Sequence, residues 1–204
     1  EVAKMRRSGD EVVMVGHKGH PEVEGTMGQV NDGMYLVETL ADIPTLPVQD
    51  PSRVAFVTQT TLSVDDAATI VQGLQRYFPQ IRAPKKEDIC YATQNRQDAI
   101  KRLAMRCDLV IVVGSPNSSN SNRLREVAEK SGVQAVMVDR AEDIDPAWLH
   151  TRPRIGISAG ASAPEVLVQA VIARLQGLGA GAVEELAGTP EHVNFPLPTA
   201  LIQA

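Results

Sequence analysis

Apolar and polar residues follow one repeated phrase along this chain: a short unbroken apolar run, a loop dense in Ser, Thr, Asn or Gly, then a helix start. The phrase occupies residues 54–63, 109–120 and 154–163, and the run at 11–16 leading into 17–24 follows the same logic. Runs that are apolar at every position, not every second one, predict strands covered on both faces of a parallel sheet. Each loop would then set hydroxyls and backbone N–H groups at the carboxyl edge of a sheet, beside helix starts that favour negative charge. The pattern predicts a cleft that binds an anion.

Between these phrases the periodicity predicts strands at 34–37 and 135–138 and helices at 64–78, 95–106 and 122–131, with a last helix from about Pro164. Ser63 with Asp66 three residues on is a capping-box variant at the start of the first of these helices. Residues 1–9 read as the last turns of a helix closed by Gly9, with no cap before it, so the expectation is that the natural protein begins earlier. Residues 40–50, with Pro44 and Pro47, read as a turn-rich connection, and 17–24 as a loop. Strands alternating with helices predict α/β architecture with right-handed crossovers. The expected organisation is two similar small parallel-sheet units, residues 1–83 and 84–190, divided near Pro84, with a tail over 191–204.

Composition narrows the partners. Only 3% of residues are aromatic and the net charge is −5, which argues against stacking on bases and against a nucleic-acid or anionic-membrane partner. No apolar run approaches the roughly 20 residues of a membrane span, and nothing resembles a signal peptide. Two cysteines are too few for a disulfide framework, so a reducing, cytoplasmic setting is expected.

Candidate chemistry gathers in the loops. His17, His20, Glu22 and Glu24 lie within eight residues of a strand end, where His can donate to a phosphate and a carboxylate can deliver a proton. Ser115, Ser118, Ser119, Asn120 and Ser121 crowd one strand-to-helix turn, more than one cap requires. Thr58, Gln59, Thr60 and Thr61 end another strand. Cys90 precedes a helix start, where a thiolate is stabilised, whereas Cys107 reads as a packed thiol. A solvated His loop and a flexible Ser loop remain open readings of these segments taken singly. So does a nucleotide-binding protein with Cys90 as nucleophile, although neither a G-x-G-x-x-G nor a P-loop occurs.

Taken together, several stretches resemble the 4-hydroxy-3-methylbut-2-enyl diphosphate reductases, the LytB-type iron–sulfur enzymes that end the non-mevalonate isoprenoid pathway. They are His20-Pro-Glu-Val-Glu-Gly-Thr-Met-Gly-Gln29, Thr58-Gln-Thr-Thr-Leu-Ser-Val-Asp-Asp66, Asp88-Ile-Cys-Tyr-Ala-Thr93 with Asn95-Arg-Gln97, Asn117-Ser-Ser-Asn-Ser-Asn-Arg-Leu124 and Ala159-Gly-Ala-Ser-Ala-Pro164. They occur in family order and span nearly the whole chain. The resemblance implies three α/β units in a trefoil around a [4Fe–4S] cluster held by three cysteines, with ferredoxin or flavodoxin as electron donor. It implies that Cys90 is a cluster ligand and that His20, Ser118, Asn120 and Ser162 bind the diphosphate, with Ser119 beside them. Glu22 would relay protons, and Thr60 would contact the hydroxyl side of the substrate, with Gln59 and Thr93 nearby. The family's first two cysteines, and two further histidines of its first unit, have no counterpart here. The chain therefore resembles the second and third units only and is expected to be inactive alone; the alternative is a cluster-free phosphate or diphosphate-binding module.

Overall fold

A computed structural model describes residues 1–85, 88–151 and 154–188, together with Pro196 and Pro198. The tail expected over 191–204 lies outside the described residues apart from those two prolines. Along the chain come α1 (Val2–Arg7), β1 (Glu11–Val15), α2 (Pro21–Met27), β2 (Met34–Val37), a 3₁₀ turn (Leu40–Thr45), β3 (Val54–Thr58) and α3 (Val64–Tyr77). They are followed by α4 (Tyr91–Ala104), β4 (Leu109–Val113), α5 (Ser119–Lys130), β5 (Gln134–Val138), α6 (Ala147–Thr151), β6 (Ile155–Ala159) and α7 (Glu165–Gly177).

The strands form two parallel three-stranded sheets, ordered β2-β1-β3 and β5-β4-β6, so the architecture is α/β as the apolar runs predict. In both, the first strand of the set is central, and it is buried at nearly every position because helices cover both faces. On one face of the first sheet, Val13, Val15 and Phe56 pack against Ala67, Ile70 and Leu74 of α3. On the other, Val12, Met14 and Val57 meet Val2 of α1 and Val23 of α2. The second sheet repeats this: Val110 and Val112 face Ile100 of α4 and Leu124 of α5, while Ile111 and Val113 face Val171 and Leu175 of α7. In each sheet the helices leaving the central strand and its third partner depart to opposite faces. The carboxyl ends of those two strands therefore flank an open crevice, the place where such sheets bind ligands. Register puts the strand ends level there, Val15 beside Thr58 and Val113 beside Ala159.

Four elements depart from the sequence expectation. The loop read at 17–24 contains α2, because Pro21 fits the first helical position and His20 caps it by accepting a hydrogen bond from the Glu22 N–H. Helix α4 starts at Tyr91, not 95, and α5 at Ser119, not 122. The Ser and Asn residues that suggest a loop are spent on the cap itself, with the Ser121 N–H donating to Ser118 Oγ and Asn122 Nδ2 donating to the carbonyls of Pro116 and Ser118. The short α6 is not among the expected elements, although Asp145 and Pro146 precede it and Asp145 Oδ1 accepts from the Ala147 N–H at 2.9 Å; Trp148 and Leu149 hold it against the second core.

The sheets are joined by buried polar contacts as well as by the chain. Gln97 of α4 is fully buried and clamps the loop after β3, its Nε2 donating to the Leu62 carbonyl at 2.8 Å and its Oε1 accepting from the Val64 N–H at 2.9 Å. Lys101 reaches Asp65, and Lys130 reaches Asp66, around the rim. Gln97→Leu keeps the volume but strands a buried N–H and a buried C=O, so it should lower unfolding free energy by about 2–4 kcal/mol in urea titration. A change under about 0.5 kcal/mol would show that the clamp contributes little.

Candidate functional site

The loops after β1 and β3 are welded by one side chain. Gln59 is fully buried at the end of β3; its Oε1 accepts from the His17 N–H at 3.0 Å, and its Nε2 donates to Thr61 Oγ1 at 3.0 Å. Gln59 Nε2 also lies 3.5 Å from Ser119 Oγ, which is 2.9 Å from Thr61 Oγ1. A hydroxyl and amide network thus runs from the first sheet into the first turn of α5. Gly16 makes room for it, since a Cβ there would stand 2.6 Å from Val23 Cγ2 and 3.2 Å from Gln59 Oε1.

Glu22, in the first turn of α2, meets the loop after β3. Its Oε1 accepts from the Thr60 N–H at 2.8 Å and its Oε2 accepts from the Thr60 hydroxyl at 3.1 Å. The carboxylate is thereby fixed in orientation from both ends, although Glu22 and Thr60 are 38 residues apart. The cap at His20 also assigns its ring: Nδ1 accepts from the Glu22 N–H at 3.2 Å, so a neutral ring carries its proton on Nε2 and keeps that donor for another acceptor.

Thr60 connects onward to Cys90, whose N–H donates to the Thr60 carbonyl at 3.2 Å. Cys90 is exposed at the N-cap of α4, and its side chain makes no cap hydrogen bond. Asp88 accepts from the Thr58 N–H at 2.7 Å. Burial pushes the Asp88 carboxyl up, the Thr58 N–H opposes this, and the nearby Glu1 and Glu22 carboxylates add to the rise. Asp88, Thr58, Thr60, Thr26 and Glu1 line an open cavity of about 430 Å³. Thr93 is buried in the first turn of α4, one turn below Cys90.

In the second sheet Ser118 caps α5, with Ser119 and Asn120 in the first turn, and Ser162 is exposed in the turn after β6. Asn120 is 93% buried, at 7% exposure, and neither its Oδ1 nor its Nδ2 has a hydrogen-bond partner among the described residues. Leaving a buried amide unpaired costs about 1–3 kcal/mol per group, so this side chain is suited to a ligand with both donors and acceptors. Ser121 sits beneath it between two glycines: a Cβ on either Gly114 or Gly160 would lie 2.2 Å from Ser121 Oγ. The strand ends of the second crevice approach α5 closely only because those residues are glycine.

The residues singled out by sequence therefore fall into two groups. Glu22, Thr60, His20 and Cys90 are tied to one another by hydrogen bonds, with Gln59 next to Thr60 in the chain; Ser118, Ser119 and Asn120 share one turn, joined to Gln59 and Thr61 through Ser119; and among the described residues Ser162 and Thr93 make no bond to either group. Sequence reasoning missed Gln97, Asp88 and the pairing of His17 with Arg123, and it named Thr61 and Ser121 without foreseeing what they touch. Both Gln97 and Asp88 stand in stretches that resemble the reductases, but a glutamine inside a helix carries no sign of the loop it will grip. Cys107 lies at the far end of the second sheet, under Gly156, where burial pushes its thiol up and Arg154 partly offsets this.

The model of the LytB protein family matches residues 1–176 of this chain. A Burkholderia mallei protein named 4-hydroxy-3-methylbut-2-enyl diphosphate reductase 2 is 68% identical over 201 residues, 98% of this chain and 62% of the relative. A protein of that name from Aromatoleum aromaticum is 65% identical over 98% of this chain and 64% of its own length. The chain thus spans a little under two thirds of these relatives. Among solved structures, the E-1-hydroxy-2-methyl-but-2-enyl-4-diphosphate reductase from Plasmodium falciparum superposes with a TM-score of 0.85 at 32% identity, covering 99% of this chain and 66% of that one.

The glycine cradle makes a direct prediction. Gly114→Ala should destabilise the second sheet by about 1–3 kcal/mol, because the added methyl meets both Oγ and Cβ of Ser121. Thermal unfolding that matched the parent chain would mean that α5 moves aside at no cost.

Proposed function

The chain belongs to the LytB protein family, and on that premise we propose that it is the substrate-binding portion of a 4-hydroxy-3-methylbut-2-enyl diphosphate reductase. In this reading it supplies the second and third units of a three-unit trefoil, divided at 83/84. The whole protein would remove the allylic hydroxyl as water, consuming two electrons and two protons and releasing isopentenyl or dimethylallyl diphosphate. Electrons would arrive from a ferredoxin or flavodoxin-type donor, and the compartment would be the cytoplasm; no helix among the described residues is long and apolar enough to cross a membrane.

The observation that carries the reading is the Glu22–Thr60 pair, poised between an imidazole that offers Nε2–H and a turn that offers Ser118, Ser119 and Asn120. His20 and the α5 turn, with Ser162, would take the diphosphate. The donors are neutral or titratable, and the helix N-terminus adds favourable charge without Lys or Arg. Glu22 would pass a proton toward the departing hydroxyl, with Thr60 holding both carboxylate oxygens in place and its own hydroxyl turned to the same point. Thr93 and Gln59 would support that end.

A [4Fe–4S] cluster would supply the electrons and an iron to hold the substrate hydroxyl, with Cys90 as one thiolate. This chain does not fit the cluster by itself: among the described residues no three His, Cys, Asp or Glu side chains converge, and such clusters need three or four protein ligands. Cys107, at the opposite end of its sheet, cannot join Cys90. One observation favours a second reading for the chain taken alone. All the proposed anion donors lie within it and none requires iron, so it would act as a diphosphate-binding module.

The test is a chimera in which this chain replaces the matching segment of the Burkholderia mallei relative. It should convert the allylic diphosphate under anaerobic reduction. Glu22→Gln should lower kcat by about 10²–10⁴-fold while KM moves only a few-fold, the signature of a lost proton donor. Cys90→Ser should remove the iron–sulfur absorption. A chimera with full absorption and no turnover would refute the proposal, as would a Glu22→Gln variant with unchanged kcat.

A further inference from the structure

We propose that Arg123 and a neutral His17 form a clasp that holds the two anion-binding loops at their working separation, and that protonation of His17 opens it. The proposal rests on the diphosphate-site reading above. Arg123 lies one turn beyond Ser119 and Asn120 on α5, and His17 lies three residues before His20. Between them Arg123 Nη2 approaches His17 Nε2 to 2.6 Å, the contact that spans 106 residues of chain. A guanidinium can only donate. Nε2 is therefore the acceptor, the ring is neutral, and its proton sits on Nδ1, which faces Glu38 Oε1 at 4.0 Å. This is the tautomer opposite to that of His20, so the two histidines of one loop are set for different tasks.

Both Nη atoms of Arg123 are engaged by protein groups, while its buried Nε has no partner among the described residues. Its side chain is 12% exposed, and its Nη1 pairs with Glu126. It is a positioning residue rather than a ligand of the anion. Arg123, Glu126 of α5, Glu38 after β2, Asp66 of α3 and His20 on the same loop are the charged or titratable groups around His17. Three of these residues, Glu38, Asp66 and Arg123, line one cavity of about 120 Å³ together with His17.

The consequence of protonation follows from donor counting. An imidazolium has no acceptor, so the Arg123 bond is replaced by two like charges in contact. Burial, then Arg123, hold the His17 pKa below its usual value, and Glu38 and Glu126 only partly oppose them. A histidine with a depressed folded-state pKa favours the closed form above the unfolded value of about 6.5, and that preference is lost as pH falls through the folded value.

The experiment is calorimetric titration of inorganic diphosphate into this chain and three variants, at about pH 8 and about pH 5.5, on either side of the histidine range. At the higher pH Arg123→Gln should weaken binding about fivefold, and Arg123→Lys should recover part of that loss. His17→Gln keeps an acceptor for Arg123 but cannot titrate. It should match the parent chain at the higher pH and bind about threefold tighter than the parent at the lower, a ratio in which titration of His20 and of diphosphate cancels. A ratio that does not change with pH would overturn the clasp, as would parent-like binding by Arg123→Gln. If that variant does not fold, the His17→Gln ratio alone decides. Absence of binding by the parent chain at the higher pH would instead refute the diphosphate-site reading, taking the clasp's purpose with it.

Discussion

Everything at the sheet edges depends on the buried amide of Gln59. One end accepts from the backbone of the β1 loop, and the other donates to Thr61 and lies within reach of Ser119 in the neighbouring unit. In a low-dielectric interior such a network is strong when complete and costly when broken. The amide therefore fixes more than its own loop: it sets where Thr60 lies relative to Glu22 and where the first turn of α5 lies relative to both. A hydrophobic residue would fill the same space and leave the His17 N–H without an acceptor.

Around that point the fold separates scaffold from chemistry. The central strands are apolar at nearly every position because helices cover both faces, and two such sheets present their crevices through polar loops. The units are held by complementary devices at different depths: Gln97 grips the β3 loop from below, the Thr61–Ser119 pair closes the middle, and His17–Arg123 spans the rim. In the proposed site, negative charge would be held with little positive charge. Hydroxyls, an amide, one imidazole N–H and a helix N-terminus would serve locally, which is consistent with a chain whose net charge is −5.

Much of this was legible in the sequence. Five strands announce themselves as short apolar runs and β6 as Ile155 and Ile157 ahead of a Gly- and Ser-rich loop, and Ser63 marks the start of α3. The starts of α4 and α5 lie earlier than the sequence suggests because Ser, Asn and Thr serve loops and helix first turns equally well; the cap bond of Ser118 decides for α5, whereas the N-cap of α4 at Cys90 makes no side-chain bond. The motifs named Glu22, Thr60, His20 and Cys90. Their mutual contacts were not legible, since partners 38 residues apart carry no shared periodicity. Gln97 and Arg123 were invisible as site residues for a related reason: each is an ordinary helix residue whose partner belongs to the other sheet.

The proposed function requires that loops from two separate sheets make one ligand cleft. Backbone and imidazole NMR of this chain, titrated with the allylic diphosphate, tests it most directly. The account predicts that His20, Thr60, Ser118, Asn120 and Ser162 shift together with one dissociation constant. Shifts confined to one sheet, or two unrelated constants for the two loop sets, would contradict it.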